Sequence, residues 1–278
     1  MKKSLRIIIF LLILVIIVGA ASPIMKKKYE FKPDQAAMQI IRGYYEEPDN
    51  SLDVLYLGTS YIRNGISSME IWHDYGITGY SRASAQQAPI ISYYMAEEAF
   101  KKQDLKAVVF EAATLVQSET SETNDYDLRE AKLHEVIDYM KWSPSKLKLA
   151  KEIVDNSELS YLDLLAPIYR YHDRWSELEE QDFKNLVWDK RHPYKGQYVT
   201  FQINSFNIRE HYMEPGYNDE EAVLDETTAS YVLRMKELCE GNGAELILLR
   251  APHVSWDDGK HNIVEQFAEE NGLEYLDY

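Results

Sequence analysis

Serine, histidine and carboxylate side chains are the groups in this chain whose types and spacing could perform acyl chemistry, and Ser60 stands first among them. The stretch Asp53 to Gly65 reads DVLYLGTSYIRNG: an apolar run, Asp53-Val54-Leu55-Tyr56-Leu57, stops at Gly58 and releases Ser60 into a loop. The run has the length and composition of a buried strand, with the glycine marking its carboxyl end. Ligands of open α/β sheets bind outside those ends, which makes Ser60 the leading nucleophile candidate. The same Gly-Thr-Ser also reads as an ordinary strand-to-loop turn. A serine nucleophile needs a base, usually a histidine oriented by a carboxylate, and backbone N–H groups facing the oxyanion. Turns at Thr59-Ser60 and at Arg82-Ala83-Ser84-Ala85 can supply those donors, although Ser84 would equally serve as a helix cap. His253, just past a strand's carboxyl end, and His261, near a helix start, are the internal base candidates, with surface positions beside Trp256 as the plainer reading. His172 fits a polar structural cluster. No His-x-x-His or Glu-rich pair has metal-ligand spacing, and no metal is expected.

Positioning these residues requires a sheet. Strands are expected at 53–57, 77–80, 107–112, 245–249 and from 273 onward. Helices are expected at 67–75, from Pro89, at about 226–240, and over Ile263 to Ala268 ending at Asn271-Gly272. This alternation predicts an α/β fold with a mainly parallel sheet and helices on both faces. Between about 118 and 225 the periodicity is poor and the composition polar and aromatic. That length predicts an insertion with its own helices, broken at Ser143-Pro144.

Met1 to Lys28 contains Lys2, Lys3 and Arg6, an uncharged stretch from Ile7 to Met25, then three lysines. About 19 apolar residues can cross a membrane as one helix. The run exceeds a signal-peptide core, so an uncleaved single-pass anchor is expected, with an extracytoplasmic body. Residues 29–51, with Pro33 and Pro48, read as a spacer that includes a short helix over 36–45, and the domain proper begins at 52. Net charge is −16; beyond residue 28 there are 24 basic against 46 acidic residues, or −22. Such a body excludes nucleic acid and anionic lipid surfaces as partners. The single cysteine, Cys239, excludes an internal disulfide framework. The 21 tyrosines suit either half-buried packing or a sugar-binding groove.

Leu57-Gly58-Thr59-Ser60 resembles the first block of the SGNH, or GDSL-like, hydrolase superfamily. Tyr80-Ser81-Arg82-Ala83-Ser84-Ala85-Gln86-Gln87 resembles the second block in a bacterial membrane-anchored branch, related in architecture to teichoic-acid D-alanyl transfer and alginate acetylation proteins. The segments around Tyr171-His172-Asp173-Arg174-Trp175 and Trp256 to Asn262 are similar to that branch too, so the resemblance runs from Leu52 onward. It implies a flavodoxin-like three-layer α/β/α domain of SGNH type, no cofactor, Ser60 as nucleophile, and N–H donors at Ser60 and at Ala83 or Ser84. Gly58, Thr59 and Gln87 would complete the oxyanion and substrate-binding set. Ala83 replaces the second-block glycine, and Glu111 and Thr114 stand where the third block has Gly-x-Asn-Asp. The family's Asp-x-x-His follows the last strand, whereas this chain ends at Asp277-Tyr278. Truncation or a substitute base such as His253 is therefore expected. The implied function is a serine esterase or acyltransferase acting on an acylated cell-envelope polymer or its acyl donor, with room for a membrane-bound transferase partner. The competing class is a catalytically inactive protein of the same fold that binds a glycan or a membrane partner.

Overall fold

Short apolar runs separated by helices give this chain a parallel sheet, because each run buries both faces and each helix returns the chain to the same edge. The computed structural model describes residues 2–26, 37–118, 126–184, 190–199, 222–252 and 256–278. In order, α1 (Lys2–Met25) and α2 (Ala37–Tyr44) precede β1 (Val54–Leu57), α3 (Ser60–Gly65), α4 (Ser68–Tyr75), β2 (Gly79–Ser81), α5 (Pro89–Ala99) and β3 (Ala107–Glu111). A 3₁₀ turn leads to β4 (Val116–Ser118), followed by α6 (Tyr126–Ile137), α7 (Pro144–Asp155), α8 (Tyr161–Leu165), α9 (Pro167–Arg170) and α10 (Glu180–Lys184). The chain then forms β5 (Ala222–Leu224), α11 (Glu226–Gly241), β6 (Glu245–Arg250), α12 (Asp258–Asn271) and β7 (Glu274–Asp277).

Five strands pair in parallel in the order β2-β1-β3-β6-β7. The α/β architecture with a mainly parallel sheet therefore stands. Pairing of Leu57 with Phe110, and of Phe110 with Leu248, puts one set of alternate residues on one face. There Leu55, Leu57, Val108, Phe110 and Leu248 pack with residues of α5, α7, α11 and α12. On the other face Tyr56, Val109 and Leu249 pack with Ile62 of α3, Ile71 of α4 and Ala83. Asp53 fixes the start of β1, since its carboxylate accepts from the Thr78 N–H at 2.9 Å and the Thr78 hydroxyl at 2.6 Å.

The structure moves several boundaries. The second strand lies at Gly79–Ser81, shifted toward Ser81, whose N–H donates to the Lys195 carbonyl. The 37–44 part of the expected spacer belongs to the core: Met38, Ile40, Ile41 and Tyr44 are buried, and Tyr80 donates to the Ile40 carbonyl at 2.8 Å. Helices do form in the insertion, and its two ends are tied by the antiparallel pair β4-β5, a feature the sequence pattern did not reveal. Cys239 is buried and free.

Helix α1 contains an apolar stretch, Ser4–Met25, of mean hydropathy 3.0, exposed from Ser4 to Ala20 and half-buried at Ala21, Ser22, Ile24 and Met25. Its 22 residues measure about 33 Å, enough to cross a bilayer core of about 30 Å.

Candidate active site

Ser60 is the first residue of α3, just beyond the carboxyl end of β1, an interior strand paired with β2 and β3. Thr59 caps that helix, its hydroxyl facing the Tyr61 N–H at 3.5 Å. Gly58 makes the turn possible: its φ is +145°, and a Cβ there would lie 2.5 Å from the Cβ of Glu111. Only glycine adopts that backbone without strain, and only a missing side chain leaves room for Glu111 beside β1.

Glu111 ends β3 and is wholly buried, accepting the Thr59 N–H at 2.6 Å. Burial pushes its carboxyl above the usual range, against the hydrogen bonds from Thr59 and the positive charge of Arg250, which pull it down. Arg250 ends β6, is 2% exposed, and lies between the rings of Tyr61 at 4.8 Å and Trp256 at 4.6 Å. Among the described residues, its Nε and Nη1 and the Glu111 Oε1 are buried without hydrogen-bond partners. Contacts continue outward from Arg250: Trp256 donates to Asp277 Oδ2 at 2.9 Å, and the same oxygen accepts from Tyr275 at 3.0 Å and meets His261 Nδ1 at 2.5 Å. Despite burial, these partners hold the Asp277 carboxyl below its ordinary range. The same hydrogen bond raises the His261 pKa.

A cleft of about 760 Å³ opens beside Ser60. Tyr56, Val109, Ile247, Leu249 and Leu276 from successive strands form its floor, with Tyr61, Asn64, Ile66, Pro252 and Tyr278 around it. Its walls are apolar apart from the serine and tyrosine hydroxyls and Asn64, which suits an acyl chain or a sugar face better than a charged ligand.

The structure separates the sequence-derived candidates into two groups. Ser60 borders the cleft, and Gly58 and Thr59 shape the turn beneath it. The Thr59 N–H is engaged by Glu111, and the Ser84 N–H donates to the Gly58 carbonyl at 3.3 Å. Ala83 is buried in the apolar cluster with Ile62. Gln87 is turned inward, donating to Ser92 at 2.9 Å, and its role here is to fix the start of α5. Of the expected amides, that of Ser60 itself has no helical acceptor, being in the first turn. His253 lies outside the described residues. His261 does not line the cleft; its Nε2 faces Glu265 at 3.7 Å. His172 is exposed, with Nδ1 2.8 Å from the Tyr169 carbonyl. No group of three or more potential metal-ligating side chains is assembled among the described residues.

Arg250 and its partners Trp256 and Asp277 escaped sequence reasoning. Their available signal was a charged residue at the carboxyl end of an apolar strand, seen at both Glu111 and Arg250. Compared with known proteins, the chain matches no family model, no curated protein and no solved structure.

Proposed function

We propose that this chain is a membrane-anchored serine esterase or acyltransferase of SGNH type, with Ser60 as nucleophile and acylated cell-envelope polymers or their acyl donor as substrate. The observation that carries the reading is the position of Ser60: at the carboxyl end of an interior parallel strand, on the first residue of a helix, bordering a largely apolar cleft. In the proposed reaction the Ser60 hydroxyl attacks an ester carbonyl, the alcohol leaves with a proton, and water or an acceptor hydroxyl then takes the acyl group from the serine. The Ser60 N–H contributes to oxyanion stabilisation, and Glu111 holds the turn that aims it. Helix α1 tethers the domain as a single-pass anchor, with the acidic body on the extracytoplasmic side as a three-layer domain. A membrane-bound transferase is the partner such a tether would serve.

Hydrolysis of 4-nitrophenyl acetate by membranes carrying the full chain tests this reading. Activity that falls to the uncatalysed rate in Ser60→Ala supports it; activity equal in both chains contradicts it. A second reading is a binding protein of the same architecture that takes a glycan or a membrane partner. One observation favours it: no histidine among the described residues hydrogen-bonds to Ser60, and the Thr59 and Ser84 amides are engaged within the protein.

A further inference from the structure

The carboxyl end of α1 does not leave the domain as a free stalk. Ser22 accepts the Ile168 N–H at 3.2 Å, the Met25 carbonyl accepts from Arg174, and Lys26 donates to the Asp138 carbonyl. Between this end of α1 and the insertion runs a groove of about 510 Å³. Leu14 and Val18 of α1 form one apolar wall, Leu164 and Ile168 of α8 and α9 the other, and Trp142 borders it. Lys26 and Lys146 also line it.

We propose that this groove binds one phospholipid of the membrane that α1 spans, its phosphodiester on Lys26 and Lys146 and an acyl chain between α1 and α8–α9. The dimensions agree. Leu14 to Lys26 is about 18 Å of helix, close to the roughly 15 Å depth of one leaflet's hydrocarbon. The charge agrees as well. Lys146 is 3% exposed and donates to the Met140 carbonyl at 3.1 Å, while the ammonium carries three hydrogens. Lys146 also lies 5.3 Å from the Trp142 ring centre; burial with the nearby Lys26 charge lowers its pKa to about 7, and a bound phosphate would favour its charged form. The opposing carboxylate, Asp138, is already engaged by His134 at 3.1 Å and by the Tyr171 hydroxyl. Glu98 is the further acid whose charge reaches Lys146.

The surroundings fit immersion at this depth. Trp142, Leu162, Tyr169 and Trp175 are all more than half exposed, and tryptophan and tyrosine concentrate at the membrane–water boundary. The strongly acidic body disfavours broad adsorption to anionic lipid, whereas this groove addresses the phosphodiester of a single molecule.

The inference rests on α1 crossing the membrane and is independent of any reaction at Ser60. Native mass spectrometry of the full chain in detergent, titrated separately with phosphatidylglycerol, dioleoylglycerol and inorganic phosphate, tests it. One phosphatidylglycerol should be retained per chain, at least about fivefold more tightly than either other probe. Lys26→Gln with Lys146→Gln should remove that preference over dioleoylglycerol. Val18→Trp, at a position exposed on α1, should weaken phosphatidylglycerol retention by filling the tail groove. Equal retention of phosphatidylglycerol and dioleoylglycerol by the wild type, or retention unchanged in Val18→Trp, overturns the proposal. Alkaline carbonate extraction of the same chain separates the two failures. A chain released by carbonate refutes the anchor and the groove together, and a chain retained without lipid preference refutes the groove alone.

Discussion

Replacing Gly58 by alanine concentrates the structural argument into one methyl group. The new Cβ would meet the Glu111 Cβ at 2.5 Å, Glu111 Oε2 at 2.8 Å and Ile62 Cγ1 at 3.0 Å, on a backbone with φ of +145°. Forcing an L-residue into such a conformation costs about 1–3 kcal/mol. Overpacking against Glu111 adds about 1–3 kcal/mol, because both strands are held in register and neither can retreat. If Glu111 moves instead, the 2.6 Å bond from Thr59 is lost, at about 1.5–3 kcal/mol for a charge-assisted bond. These routes are partly alternatives, so the expected loss is about 3 kcal/mol or more, against a typical total of about 5–15. Gly76→Ala is the internal control. Its φ is +72° with nothing within 4 Å, so only the left-handed penalty of about 1–2 kcal/mol applies. Urea unfolding of the three chains measures the difference. Adding Glu111→Ala to Gly58→Ala removes the contact with Oε2 but keeps the Glu111 Cβ at 2.5 Å, so it should recover only a small part of the loss. A Gly58→Ala loss no larger than that of Gly76→Ala would refute the crowded turn and the position it gives Ser60.

Further expectations concern the charges that hold the elements in place. Arg82 is buried against Glu98 at 2.7 Å, so Glu98→Gln should destabilise by about 3–5 kcal/mol in chemical denaturation, since it strands a guanidinium in the core. Hydrogen bonds from Lys106 and Thr78 lower the Asp53 pKa to about 2 from 3.8. The folded state thus holds this proton more weakly, and the stability from Asp53 is present above pH 4 and lost as pH falls toward 2. Asp53→Asn should flatten that acid limb of a stability–pH curve. His261 has the opposite sign: its raised pKa contributes stability below its unfolded pKa of about 6.5 that disappears as pH rises through the folded value. His261→Asn should remove that alkaline-side loss, read from melting temperatures between pH 5 and 8.

The strands at Val54–Leu57, Ala107–Glu111 and Glu245–Arg250 were legible because unbroken apolar runs between helical segments have few other uses. Helix α2 was legible as a short helix but not as part of the core, since Met38, Ile40, Ile41 and Tyr44 sit in a short segment flanked by proline and acidic residues, and only tertiary burial reveals its role. The β4-β5 pair joins three-residue strands across more than a hundred positions, leaving no local pattern to find. At the candidate site, the sequence located Ser60 but could not tell which amides were available. That depends on how three separate segments meet: Glu111 takes the Thr59 N–H from a neighbouring strand, and the Gly58 carbonyl takes that of Ser84. Glu111 and Arg250 are both charged and both end strands, a position from which sequence alone cannot separate solvent from burial.

The central claim is that Ser60 is a nucleophile. Membranes carrying the full chain should react with a fluorophosphonate probe, and peptide mass analysis should place the adduct on Ser60 and find none in Ser60→Ala. A wild-type chain that remains unlabelled, or labelling equal in the Ser60→Ala chain, would contradict the account.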